Sequence, residues 1–149
     1  MSKISFLVVV PTLDSFELLP RLVVSLQNQT FGSWKLCFVD GPSCLEHRAW
    51  LVNCCETDPR CSWLPQDPDE IGIFGAMNQG FSIASSLDYL LFWGSDDWAA
   101  SPSVLNELAL EIEQTNSMES NPDLVVCCGR YVRSKTDIIS RPTVFHSAG

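Results

Sequence analysis

Positive charge is what this chain has least of. Its 149 residues carry 9 Lys and Arg against 18 Asp and Glu, for a net charge of −9, and only 2 His. A nucleic-acid partner needs a basic footprint, so that class is excluded. Any phosphate bound here must be met by a metal or by backbone amides. No apolar stretch is long enough to span a bilayer. Lys3 and the mainly apolar residues 4–10 superficially resemble a signal peptide. The run is short, however, no small-residue cleavage site follows, and Pro11, Thr12 and Asp14 interrupt it. A cytoplasmic location is therefore the expectation. The 7 Cys form no even framework and no CxxC. That argues against a disulfide scaffold and against zinc on Cys44, His47, Cys54 and Cys61. Internal repeats and low-complexity segments are also missing. What remains is 46% hydrophobic and 18% charged, a globular composition with enough length for one real core.

Residues 6–10 are an unbroken apolar run rich in Val, read as a buried strand closed by Pro11. A polar loop follows, in which Asp14 or Ser15 can cap a helix over 16–27, with Pro20 near its start. Residues 34–39 predict a second strand and 45–54 a short helix. Residues 61–64 predict a third strand, and 73–86 an amphipathic helix containing Gly75, Asn78 and Gly80. Ser101 and Pro102 read as a cap and first helical residue. A further strand is expected over 124–131, and a hairpin around 134–137. The alternation of strand and helix predicts an α/β fold: a mostly parallel sheet with helices on both faces.

Two carboxylate positions stand out on that frame. The run 89–93, five apolar residues without alternation, predicts a strand buried on both faces, and it stops at Gly94-Ser95-Asp96-Asp97. Asp40 closes the second strand in the same way, followed by Gly41 and Pro42. Open α/β sheets bind ligands just beyond the carboxyl ends of their strands. Paired carboxylates there suit a hard divalent cation carrying a phosphate ligand. The plainer alternatives are that Asp96 or Asp97 caps the next helix and that Asp40-Gly41 is a simple turn.

The segments FLVVVPTLDS, LQNQTF, CFVDGPS, GIFGAMNQGFSIA and YLLFWGSDDW, in this order and spacing, resemble the family 2 glycosyltransferases, most closely the bacterial surface-polysaccharide branch. The resemblance runs from Ile4 to Trp98, and RPTVFH resembles a later family segment. It implies the GT-A fold, a Rossmann-like three-layer arrangement. Residues 1–149 would then be a single nucleotide-sugar-binding domain, the N-terminal part of that fold, with the acceptor-binding half largely missing. It implies that Pro11, Thr12 and Leu13 hold the nucleotide base and that Asp40 contacts base or ribose. Asn78 would lie beneath the nucleotide. Ser95, Asp96 and Asp97 match the DXD-type motif, where Asp96 and Asp97 would hold Mg²⁺ or Mn²⁺ on the donor's diphosphate. The implied reaction moves a hexosyl group, with inversion, from a nucleotide-diphosphate sugar to a saccharide or lipid-linked acceptor, at the inner membrane face or in the cytoplasm. No catalytic base is identified. Three positions depart from the family pattern: Gly75 for Asp, Gln79 for Lys, and Gly94 for the first residue of the DXD motif. These departures motivate a second expectation, a catalytically incomplete relative that binds a nucleotide or a partner. A nucleotidyltransferase ranks last, because PTLDSFELLP offers neither the glycine nor the lysine of a phosphate loop.

Overall fold

The computed structural model describes residues 4–117, 130–132 and 138–140. Strands and helices alternate: β1 (Ser5–Thr12), α1 (Leu19–Gln27), β2 (Trp34–Asp40), α2 (Leu45–Thr57), β3 (Cys61–Pro65), α3 (Gly72–Phe81), β4 (Asp88–Phe92) and α4 (Val104–Ser117). The four strands form one sheet in the order β3-β2-β1-β4, with every neighbouring pair parallel. Each intervening helix returns the chain to the same end of the sheet, which is what parallel pairing requires. β5 (Arg130–Val132) and β6 (Ile138–Ser140) form a separate antiparallel pair, as the expected hairpin requires. The chain divides into two compact units, Met1–Ala109 and Leu110–Gly149, and the four-stranded sheet lies wholly in the first.

The sheet is covered on both faces. Leu7 and Val9 of β1, Cys37 and Val39 of β2 and Ala76 of α3 form one cluster, with Leu64, Phe81 and Ala84 packed beside it. Gly80 permits this close approach of α3, since a side chain there would collide with Val9. Side chains alternate along a strand, so Phe6, Val8, Leu36 and Phe38 point the other way. On that second face the Trp50 ring of α2 meets Phe38 edge-on, with centroids 6.1 Å apart. All four of these residues are essentially inaccessible to water. Each such side chain contributes roughly 1.5–3 kcal/mol relative to exposure.

Several boundaries differ from the sequence reading, each for a local reason. β1 does not close at Pro11 but continues to Thr12. The Val9 carbonyl faces β4, where it accepts the Trp93 N–H, and the Thr12 carbonyl faces β2, where it accepts the Gly41 N–H. Pro11 therefore presents its missing N–H on the β4 side, where pairing has already ended at Val9. α1 starts at Leu19, and neither Asp14 nor Ser15 caps it. The Asp14 carboxylate instead accepts the Cys44 N–H at 2.7 Å, at the start of α2, where negative charge suits the helix dipole. α3 stops at Phe81 rather than near 86, because Ser85 and Asp88 close a turn into β4 through two hydrogen bonds. α4 begins at Val104, so Ser101 and Pro102 precede the helix. The largest correction concerns β4. It is not buried on both faces: it holds an outer position among the described strands, with Leu90 38% and Phe92 47% exposed. Residues 124–129 of the further expected strand, with Cys127 and Cys128, lie outside the described residues, as do Arg133 and the tail from 141 onward.

Candidate functional site

The carboxyl ends of the parallel strands share one rim. Thr12 ends β1 directly opposite Asp40, the last residue of β2. On the other side of β1, β4 ends with Phe92 opposite Val9, and Gly94–Asp97 follows at once. Asp40 and the Asp96-Asp97 pair thus stand at the same end of the sheet with one strand between them, neighbouring strands being about 4.8 Å apart.

Asp40 is buried and densely supported. Its Oδ1 accepts the Thr12 hydroxyl at 3.0 Å and the Ser43 hydroxyl at 2.6 Å, and His47 Nε2 lies 3.0 Å away. Its Oδ2 is buried without a hydrogen-bond partner, the nearest cation being Arg48 Nε at 3.8 Å. Arg48 is about half exposed, so it can swing aside without disturbing the core. Ser43 also accepts the Asp14 N–H, fastening the loop after β1 to the loop after β2. Asp14 takes a left-handed backbone, φ 47°, to reach this position. The backbone N–H of Cys44 holds the Asp14 carboxyl below the usual carboxylate range.

The Asp96-Asp97 end is built differently. Gly94 and Asp97 close a tight turn: the Asp97 N–H bonds the Gly94 carbonyl, and the Gly94 N–H donates to Asp97 Oδ2 at 2.6 Å. Both aspartates are exposed, and among the described residues neither forms an ion pair. A Cβ on residue 94 would lie 2.8 Å from Asp96 Oδ1 and 3.3 Å from Asp97 Oδ2. The two carboxylates therefore fold over the same bare Cα, and glycine is what leaves the space between them. Asp96 and Asp97 are the hard-oxygen donors here that would hold Mg²⁺ or Mn²⁺, cations that one or two carboxylates can share with substrate phosphates. Among the described residues no third acid, His or Cys joins them. The next segment is clamped to α1. Trp98 lies under the Arg21 guanidinium, 3.3 Å from ring centroid to Cζ, the Ala99 N–H bonds Ser25, and buried Gln29 bonds the Ser101 carbonyl and the Leu105 N–H.

Of the residues expected at the site, Thr12 and Asp40 bond each other, and Asp96 and Asp97 share a turn with half-buried Ser95. Pro11 is half-buried within β1, whereas Leu13 is 60% exposed beyond it. Asn78 is exposed on α3. The departures at 75 and 79 have structural explanations. A side chain at Gly75 would collide with the Glu70 carbonyl. Gln79 donates to the Pro65 carbonyl at 2.7 Å and accepts the Asp67 N–H at 2.8 Å, so its amide binds the loop after β3. Sequence reading missed the support given by Ser43, His47 and Gln29. Only the spacing of Asp40, Ser43 and His47 at i, i+3 and i+7 hinted that a strand-to-helix turn could gather them.

The family model described as "Glycosyl transferase family 2" matches residues 7–145. The chain belongs to that family. This family 2 chain is 32% identical over 97 residues to the PGL/p-HBAD biosynthesis glycosyltransferases of Mycobacterium bovis (strain BCG / Pasteur 1173P2) and Mycobacterium tuberculosis (strain ATCC 25177 / H37Ra), covering 65% of itself and 37% of each relative. It thus spans little more than a third of the length of those proteins. Among solved structures it superposes on S. aureus TarS 1–349 in complex with UDP-GlcNAc with a TM-score of 0.66 at 23% identity, covering 76% of this chain and 32% of that one. Mannosyltransferase PcManGT from Pyrobaculum calidifontis, in complex with GDP-Man and Mn²⁺, gives 0.58 at 17% identity over 67% of this chain and 30% of that one. These likenesses establish the GT-A fold for the family 2 chain.

Proposed function

We propose that the chain is the donor-binding part of a metal-dependent, inverting glycosyltransferase of polysaccharide or glycan biosynthesis. It would take a hexose from a nucleotide-diphosphate sugar and place it on the hydroxyl of a saccharide or lipid-linked acceptor. One observation carries this reading. A buried carboxylate with a spare oxygen, Asp40, shares a sheet end with an exposed carboxylate pair that no cation of the described residues neutralises. Two further facts support it: TarS was solved with UDP-GlcNAc, and PcManGT with GDP-Man and Mn²⁺. The names of the mycobacterial relatives support a biosynthetic role.

In this reading Thr12 and Asp40 receive the nucleoside, with Pro11 and Leu13 shaping its seat and Asn78 beneath it. Asp40 Oδ2 accepts an N–H or O–H of the base or ribose once Arg48 swings away. Asp96 and Asp97, next to Ser95, would hold Mg²⁺ or Mn²⁺, which supplies stabilisation of the charge that grows on the departing diphosphate. The acceptor oxygen forms its bond to the anomeric carbon as the bond to the diphosphate oxygen breaks on the opposite face, and a carboxylate base takes the hydroxyl proton.

Calorimetric titration with UDP- and GDP-sugars in the presence of Mn²⁺ tests the reading. Binding that needs Mn²⁺ and is lost in Asp96→Ala is expected. No binding with metal present, or equal binding by that variant, overturns it. Metal-dependent binding without turnover on any acceptor would instead assign the chain to the catalytically incomplete class.

A further inference from the structure

The rim holds one fully buried histidine to which the proposed reaction gives no task. His47 Nε2 stands 3.0 Å from Asp40 Oδ1, yet neither ring nitrogen is aligned for a hydrogen bond, so the contact is that of a close polar pair rather than a directed bond. The imidazole also meets the Phe16 ring edge-on, with centroids 6.2 Å apart. Thr12 and Ser43 donate to Oδ1 and His47 stands beside it, so three groups crowd one oxygen of Asp40 while the other has none within hydrogen-bonding distance. A carboxylate held on one side only has a fixed rotation about its Cβ–Cγ bond, and its second oxygen keeps its lone pairs for an outside donor. The arrangement is costly: a buried polar atom without a partner is tolerated only where something compensates for it.

We propose that His47 is a positioning residue for nucleoside recognition. In contact with both Phe16 and Asp40, it holds the carboxylate so that Oδ2 is presented to a donor group of the base or ribose. This rests on the reading in which Asp40 meets the nucleoside. It assigns a role to a residue of α2 that bears neither on the diphosphate nor on the cation. Two ligands separate that role from a merely structural one: UDP, which carries a nucleoside, and inorganic pyrophosphate, which does not.

The test titrates each ligand with MnCl₂ into the wild-type chain and into His47→Phe, His47→Gln, Asp40→Asn and the Asp40→Asn/His47→Phe double variant. His47→Phe keeps the ring packing and removes the polar nitrogens. It is expected to weaken UDP binding about tenfold and to leave pyrophosphate binding unchanged. His47→Gln, whose amide can reach Oδ1, is expected to restore UDP affinity. In the Asp40→Asn background, where no buried charge remains to be oriented, adding His47→Phe should cost nothing further. Equal losses for UDP and pyrophosphate in His47→Phe, or the same loss in both backgrounds, overturn the proposal. So does unchanged UDP affinity in His47→Phe when Asp40→Asn binds weakly. If His47→Phe alone does not fold, the decision passes to His47→Leu, where a loss of about tenfold for UDP with pyrophosphate binding unchanged supports the role and unchanged UDP affinity overturns it. A wild-type chain that binds pyrophosphate with Mn²⁺ but neither UDP nor GDP would sink the nucleoside site itself, an outcome distinct from a failure of His47 alone.

Discussion

The two ends of the four-stranded sheet carry the same residue type in opposite states. At the end where the strands begin, Asp58 is clasped by Arg60 through two side-chain bonds of 2.8 and 3.0 Å and by Gln27 at 3.2 Å. Asp88 there accepts the Ser85 N–H and hydroxyl and meets Lys35 at 3.3 Å. At the end where the strands finish, Asp40 keeps a buried oxygen unbonded, and Asp96 and Asp97 have no cation among the described residues. Carboxylates satisfied by their own protein are structural. Carboxylates left short at a strand's carboxyl end are where a ligand can supply what the chain withholds. Lys35 and Arg60 pair with the acids of the strand-beginning end, whereas Arg48 and Arg21 near the other end leave Asp96 and Asp97 unpaired.

The sharpest way to break this contrast is to mutate one acid from each end. Asp96→Ala should reduce Mn²⁺-dependent UDP affinity about 100-fold, since a cation held by few protein ligands depends on each of them. Its unfolding free energy should stay within about 0.5 kcal/mol of wild type, as for other exposed positions. Calorimetry and urea unfolding on the same preparation read both quantities. If Asp96→Ala unfolds the chain, the division into structural and ligand-binding acids fails.

Asp58→Asn should do the reverse. The Arg60 guanidinium, working against the opposing effect of burial, holds the Asp58 carboxyl down at about 2. That depression corresponds to about 2 kcal/mol of stability at neutral pH. Because the folded value lies below the unfolded one, the contribution is complete above about pH 4 and disappears as pH falls through about 2. Asp88 behaves in the same sense: burial raises its carboxyl, but the Ser85 N–H and hydroxyl outweigh that and bring it to about 2. Urea midpoints from pH 5 down to pH 2 should therefore fall steeply in wild type and less steeply in Asp58→Asn, with UDP affinity at pH 7 unchanged. A parallel pH profile in the two proteins would show that the clasp around Asp58 carries no stability.

Ser43→Ala tests the connection within the ligand end. It removes one donor to Asp40 and the acceptor of the Asp14 N–H, at an expected cost of about 1 kcal/mol. UDP affinity should fall only a few-fold, because Thr12 still bonds Oδ1 and His47 still stands beside it. A Ser43→Ala chain with wild-type stability would mean that the bridge between the two loops is incidental.

Much of this arrangement was legible in the sequence. The apolar periods of β1 and β2, the helical spacing of Leu19, Leu22, Val23 and Leu26, and the acids that follow two apolar runs gave the layers and the rim, because each is a local pattern. The exposure of β4 was not legible. Five apolar residues in succession read the same in an outer strand as in a central one, and strand order depends on which neighbours form. The target of Asp14 was not legible either, because its partner, Cys44, lies thirty residues further on. The collision that bars a side chain at Gly75 belongs to the same class, since it depends on how the loop from Pro65 meets α3. Local rules found the acids; only the folded neighbours distinguish those that are satisfied from those left open.

The smallest expected effect comes from Lys35→Met, and it shows how much of the satisfied end rests on visible ion pairs. Lys35 is 57% exposed, and its contact with Asp88 is 3.3 Å. An ammonium so open to water gains little Coulomb energy and loses side-chain freedom on pairing, so exposed pairs contribute about 0–1 kcal/mol. Asp88 itself is almost inaccessible and keeps its two bonds to Ser85 when the lysine is gone. Lys35→Met should therefore lower stability by less than about 0.5 kcal/mol. Raising the salt to about 1 M should erase that difference, since the screening length then falls to about 3 Å. A loss as large as that of Asp58→Asn would mean that the cation, and not the turn of Ser85, secures Asp88. The satisfied end would then depend on charge pairing as strongly as the open end depends on its absence.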